Sequence, residues 1–485
     1  MFCLALGTLF LGACAPGAGT PASNANGNPN PPPTVTPMEQ ALEFFSSGPG
    51  SVPEGGTPDV GIGGTTAMGM KILPVPGYPG AYNVVLRNTG SGYTESFVLQ
   101  IPSNPPPGPR PLLVAFHRAN VSHADPFLWT TFPAECQARG WYFVAPLGGS
   151  QRHFSSLVSQ INTQAVLSIV SSAYPIDSTR IYGVGFSMGG GAAATYAARH
   201  VDSNAPHFAA LINHTGTISL AHAFANEPDD NDQDDGPLPG GANLEASDLM
   251  EFWNNGTPST AAFSFSRCST IDIDPLTGAV DPATSLARNL RGIPVMTVLA
   301  TGDTHPYLSF QTQTWVSQLS SLGVNNTFVS VPFVGHSWDA LDQNGACNWF
   351  AATSFVEPSS GNELADEDGQ RVHHFQVAQD QSGQFTPFQW YADPIANRLS
   401  VWGSRNLRRL TVDAQTLGLS YLGALRWNHS NFDGTPDELL LTGVPYPPMQ
   451  ALRDGQPALY NYDAQLGTCL ITDTDGAGHL WQLQF

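Results

Sequence analysis

Ser187, Asp303 and His336 have the residue types needed to move an acyl group: a nucleophile, an acid and a base. A serine hydroxyl is a weak nucleophile until a base removes its proton. The base in turn needs a third group to fix its tautomer and steady its cation. Ser187 lies in Gly185-Phe186-Ser187-Met188-Gly189, a G-x-S-x-G pattern. Such a serine sits on a strand-to-helix turn too tight for side chains at its flanks, which requires glycine on both sides. Asp303 follows the apolar run 294–300 within TGDTHPY (301–307), and His336 falls later, in GHSW (335–338). Other readings remain open. Asp303 could cap the helix that follows it, leaving Asp272 or Asp274 as the acid, and His336 could be a surface histidine. His305, His214 and His222 read as pocket lining or structural, and His373-His374 has no ligand spacing.

These residues require particular elements around them. Residues 181–185 form a short branched apolar strand, and 189–198 are nearly all small, as suits a helix packed hard on a sheet. Further strands are expected at 82–87, 96–101, 112–116, 141–145, 207–212, 294–300 and 327–332, with helices at 163–173 and 308–322. Strands alternating with helices predict an α/β fold: a mostly parallel sheet covered on both faces. Residues 217–291 interrupt it, and an insertion of that length between core elements reads as a lid or cap over the site. Its acidic run, Asp229, Asp230, Asp232, Asp234 and Asp235, reads as a solvated loop or as a calcium site, though Gly236 is one place late for an EF-hand.

From 358 to 485 the texture changes to short alternating strands such as 398–402, 407–412 and 438–442, which predicts a small all-β domain. Asp-Gly pairs at 433–434, 454–455 and 475–476 recur every 21 residues and predict hairpin turns. The aromatics Trp390, Tyr391, Trp402, Trp427, Tyr446, Tyr460, Tyr462 and Trp481 either fill the core of this domain or grip a polymer.

Residues 2–13 form an apolar run of signal-peptide length, and a Pro/Gly/Asn-rich tether with irregular sequence follows over 15–80. The segment Leu11-Gly12-Ala13-Cys14 resembles the lipobox of bacterial lipoproteins, which implies lipidation at Cys14 and an outer-membrane or cell-surface location. An ordinary signal peptide, giving a secreted or periplasmic protein, is the alternative. Export permits disulfides among Cys136, Cys268, Cys347 and Cys469, of which Cys268–Cys347 is the expected pair because both flank the site. No C-x-x-C spacing occurs, so neither a metal nor another cofactor is expected. The 18 Lys+Arg against 39 Asp+Glu give a formal net charge of −21, which repels phosphate backbones and argues against nucleic-acid binding. Membrane association is expected only through the N-terminal lipid.

Residues 81–357 resemble the α/β-hydrolase superfamily, in the branch of polyhydroxybutyrate depolymerases, feruloyl esterases and secreted carboxylesterases. Residues 97–102 with 112–117, the elbow at 185–189, TGDTHPY and GHSW carry the resemblance. It implies a serine ester hydrolase with Ser187 as nucleophile, His336 as base and Asp303 as its orienting acid, acting on small, polymer-linked or polyester substrates. It also implies an oxyanion hole of the Met188 N–H and, from the loop at 116–120, the Ala119 N–H, with Arg118 where relatives carry glycine. His117, Arg118 and Trp338 are expected to line the substrate pocket. A peptidase of the same superfamily and a non-catalytic surface binding protein on this scaffold are the alternatives.

Overall fold

The computed structural model describes residues 67–227 and 246–485, together with Thr36, Met38 and Gln40. The leader, Cys14, most of the tether and the acidic run at 229–235 lie outside the described residues. Among the described residues, no helix is long and apolar enough to cross a membrane.

The first layer system is a nine-stranded sheet. Its strands are β1 (Ala67–Pro74), β2 (Ala81–Asn88), β3 (Thr94–Gln100), β4 (Arg110–Phe116), β5 (Tyr142–Pro146), β6 (Ile176–Phe186) and β7 (Ala210–His214). After a separate small hairpin of β8 (Asp272–Ile273) and β9 (Val280–Asp281) come β10 (Val295–Ala300) and β11 (Asn326–Val331). Their order across the sheet is β1-β2-β3-β5-β4-β6-β7-β10-β11. The strands from β5 to β11 run parallel, whereas β1, β2 and β3 join antiparallel.

The near-continuous apolar run of β4 shows why both faces are covered. Leu112, Val114 and Phe116 enter one core with the helices Leu157–Ala173, Met188–Arg199 and Pro306–Leu322. Leu113 and Ala115 enter a second core with Phe132 and Cys136 of the helix Phe132–Arg139 and Phe350 of the helix Gln343–Ala351. Side chains alternate across a strand, so a strand buried on both sides must be apolar throughout. This is the expected α/β architecture, a mostly parallel sheet covered on both faces.

β1 corrects the expectation of irregular sequence up to residue 80. Gly69 hides the strand pattern, and the pairing with β2 slips between Met68 and Lys71, a bulge that absorbs the irregularity.

Residues 360–484 form a seven-stranded sheet and a six-stranded sheet whose inner side chains, among them Trp390, Leu410, Trp427, Leu439 and Trp481, share one core. Of the three Asp-Gly turns, only Asp454-Gly455 closes a two-residue hairpin, with both residues at positive φ and Arg453 opposite Gln456. The turns at 433–434 and 475–476 instead carry the chain from one sheet to the other. The even spacing therefore marks layer crossings as well as hairpins.

Buried polar contacts join the sandwich to the nine-stranded sheet and its helices. Asp366 takes a two-point contact from Arg199 (3.0 and 2.8 Å) and a third bond from Arg267 Nε (2.7 Å). Asn289 donates to the carbonyls of Ala198 and Leu364.

The expected Cys268–Cys347 pairing is not made. All four described cysteines are free and buried. Cys268 packs with Met188 and Phe265, and Cys347 lies in the core on the other face with Cys136. Burial pushes all four thiols above their ordinary range.

Candidate active site

Ser187 ends β6 and starts the helix Met188–Arg199 with φ 59° and ψ −129°. A non-glycine residue in this left-handed region is strained and persists only where its surroundings force it. Those surroundings are backbone. A Cβ on Gly185 would collide with the Gly189 carbonyl, and one on Gly189 would collide with the carbonyls of Phe116 and His117. Glycines at both positions thus press the helix start against the loop after β4. The Ser187 N–H bonds the His214 carbonyl (3.0 Å), and its own carbonyl accepts from Gly190 (2.9 Å) and Thr217 (3.2 Å). The Ser187 side chain projects from a turn locked on three sides.

Asp303 and His336 are brought together by the turns after β10 and β11. The Gly302 N–H bonds the Val334 carbonyl (2.9 Å), and a Cβ on Gly302 would strike that same carbonyl. With the turns in contact, His336 Nδ1–H donates to Asp303 Oδ2 at 2.7 Å. His305 grips the other oxygen, its backbone N–H and its Nδ1 each 2.9 Å from Oδ1. The Asp303 side chain is fully covered. Burial alone would raise its pKa, but the bonds from His305 and His336 outweigh it and hold the carboxyl well below the usual carboxylate range. The His336 ring lies on the Phe186 ring, centroids 4.4 Å apart, and Phe186 is the residue that precedes Ser187 in the chain. With Nδ1 committed to Asp303, Nε2 is the nitrogen left for chemistry. Burial lowers the His336 pKa against the pull of Asp303, and the charges of His305 and Arg118 lower it further. The net direction is downward, which favours the neutral ring.

The alternative acids are engaged elsewhere. Asp272 accepts from the Ser266 and Thr284 hydroxyls, and Asp274 caps its own turn through Leu276 and Thr277. His214 is buried and stacked on Phe186 (4.5 Å), with burial dropping its pKa to about 3. His222 stacks on Phe310 and contacts Gln311. His373 and His374 are buried beside the strand Phe375–Gln379 of the sandwich, where the His373 N–H bonds the Val201 carbonyl.

Met188 takes the first position of its helix, where a backbone N–H has no intrahelical acceptor. Its side chain sits in a cluster with Leu220, Leu249, Met250, Phe265 and Tyr307, and Ala119 packs against the same cluster. Residues of the 217–291 insertion thus cover this end of the helix.

Two of the expected pocket residues, His117 and Trp338, are buried with their polar atoms bonded inside the protein. His117 is fully buried with its ring nitrogens against the carbonyls of Arg118 (2.7 Å) and Leu147 (3.0 Å). Trp338 is buried and donates Nε1–H to Asp125 Oδ2 (2.9 Å). Arg118 keeps part of its side chain exposed and pairs with the other oxygen of Asp125 (3.0 Å). Asp125 was not among the residues singled out from the sequence. It ties the loop after β4 to the segment carrying His336, and a buried carboxylate facing both an arginine and an indole shows itself only in three dimensions. Gln311 is a second such residue: fully buried, it accepts from the Ile218 and Ser219 N–H groups where the insertion begins.

Asp303, His305 and His336 also offer ligand atoms within 4.8 Å of one another, the spacing of a metal site. Both histidines already direct Nδ1 at the Asp303 carboxylate, so an ion there would have to displace those bonds.

No protein-family model matches the chain. No curated protein matches it either. Among solved structures, an S-formylglutathione hydrolase from Agrobacterium tumefaciens aligns at 12% identity over 58% of this chain and 98% of its own, with a TM-score of 0.43. A hyperthermophilic esterase from the archaeon Pyrobaculum calidifontis aligns at 15% identity over 56% of this chain and 82% of its own, with a TM-score of 0.38. Strand order and packing, rather than these distant likenesses, carry the fold.

Proposed function

We propose that this protein is an exported serine ester hydrolase working through an acyl-enzyme. The observation that supports the proposal is the Asp303–His336 pair whose ring lies on Phe186, the residue that precedes a strained Ser187 at a helix N-terminus. Ser187 Oγ attacks the ester carbonyl while His336 Nε2 takes its proton. Asp303 holds the imidazole in the tautomer that carries a proton on Nδ1 and stabilises the cation that forms. The carbonyl oxygen, now negative, accepts from the Met188 N–H and the Ala119 N–H, and the start of the helix dipole favours the same charge. His336 then protonates the leaving alcohol. In the second half it activates water, which releases the acid and restores Ser187. The insertion packed around Met188 acts as the lid of the acyl site.

In this reading the lipobox-like Cys14 tethers the enzyme outside the cytoplasm, where its esters are polymer-borne or free. The test is labelling by a fluorophosphonate probe together with turnover of short acyl esters. The native chain is expected to label and turn over, and Ser187→Ala to do neither. Labelling that persists in Ser187→Ala would place the nucleophile elsewhere and end the proposal.

A further inference from the structure

We propose that the outer face of the seven-stranded sheet in the C-terminal sandwich binds a neutral polysaccharide, in a groove floored by Ser400, Asn428 and Ser430 and walled by Trp402. The inference stands apart from the chemistry of Ser187.

Register places these side chains together. Ser400 lies opposite Asn428 and Trp402 opposite Ser430 on adjacent parallel strands, and Asn428 lies opposite Leu480 on the next. Residues directly opposite one another point to the same face. Here that face is the one turned away from the core, because Val401, Trp427 and Trp481 fill the inner side. The result is a cavity of about 430 Å³ that these residues line with Asp454 and His479.

Three features fix the chemistry of the occupant. Trp402 is 38% exposed, whereas Trp390, Trp427 and Trp481 of the same sheet are buried, so its flat apolar plate is left facing water, with the exposed Tyr391 opposite Ser400 on the neighbouring strand. Leaving an indole exposed forgoes burial energy that a ligand with a flat apolar face can recover. Beside the plate, two hydroxyls and an amide supply both donors and acceptors, and among the described residues their side chains make no hydrogen bond. The ionised groups at the end of the groove are matched among themselves. His479 bonds Asp454 (2.6 Å) and Asp475 (2.7 Å), and Arg453 pairs with Asp473 (3.0 Å) and Asp475 (2.8 Å). Arg426, on the same face and opposite Arg398, donates to the Ala396 carbonyl rather than to a carboxylate, but the net charge of −21 repels an anionic chain. A pyranose ring has a flat C–H face for Trp402 and hydroxyls at its rim for Ser400, Asn428 and Ser430. A polyester offers acceptors only and would leave half of the groove's hydrogen-bonding capacity unused.

The test is adsorption of the full chain to insoluble cellulose, arabinoxylan and chitin, with polyhydroxybutyrate granules as the polyester arm. Saturable binding to at least one polysaccharide is expected. Trp402→Ala should weaken it about tenfold, the loss of one good contact surface, with unchanged Tm and unchanged turnover of p-nitrophenyl acetate. Ser400→Arg keeps the indole and fills the groove floor, so it should weaken binding as much and serves if the tryptophan variant fails to fold. Absence of binding to all three polysaccharides, binding that both folded variants retain, or binding to the polyester alone would overturn the proposal.

Discussion

His336 and His429 are both bonded to aspartates, and their two settings drive them in opposite directions. His336 donates to one carboxylate, Asp303, and keeps 18% of its side chain exposed. His429, in the sandwich core, is completely covered and bonds two carboxylates, Asp437 through Nε2 (2.7 Å) and Asp473 through Nδ1 (3.0 Å). Burial lowers the pKa of both. At His336 the lowering wins, because one carboxylate is offset by the nearby charges of His305 and Arg118. At His429 two carboxylates outweigh burial and the pKa is raised. A general base needs a free nitrogen and a neutral resting form, which His336 has. His429 has neither and serves as a charged clamp joining Asp437 of one strand to Asp473 of the strand paired with it.

Substitutions should separate the two roles, beginning with the largest effect. Ser187→Ala is expected to lower kcat on a short acyl ester by about 10⁶ while leaving Tm unchanged. Asp303→Asn should cost about 10⁴ in kcat, because an amide favours the wrong imidazole tautomer. His429→Asn should do the reverse. It leaves two buried carboxylates facing each other and should destabilise the sandwich by about 3–5 kcal/mol, read by chemical denaturation, while ester turnover at room temperature persists. Turnover that fell in parallel with sandwich stability would show that the two regions act as one unit and would undo the contrast.

The two regions were unequally legible in the sequence. At the catalytic end, strand period, flanking glycines and chain order pointed to Ser187, Asp303 and His336, because a nucleophile elbow constrains its own neighbours in sequence. Asp125 was invisible: its partners Arg118 and Trp338 are close only once β4 and the turn after β11 share a sheet end. His117 and Trp338 looked like pocket residues because they border the motifs, yet the polar atoms of each are satisfied inside the protein. In the sandwich, strand alternation was readable but layer assignment was not, since an Asp-Gly turn looks the same whether it closes a hairpin or crosses between sheets. Nothing in the sequence distinguished the buried tryptophans from Trp402, because the face of a strand depends on a register that pairing decides.

The smallest effects, and the sharpest test of the contrast, lie in pH dependence. His336 must be neutral to act. Its pKa is lowered, so kcat/KM should hold to more acidic pH than an ordinary histidine allows, and the acid limb should have its midpoint below about 6.5. His305→Gln retains a donor for Asp303 but removes a charge that lowers His336, so the limb should move upward by less than about one pH unit. His429 works with the opposite sign. Its raised pKa means that its contribution to stability is complete below the unfolded value of about 6.5 and is lost as pH climbs through the higher folded value. Thermal stability should therefore decline on the alkaline side in the native chain, and less so in His429→Asn. An acid limb at or above the ordinary histidine value, or an alkaline decline that His429→Asn leaves intact, would mean that the carboxylates around these two rings do not set their charge.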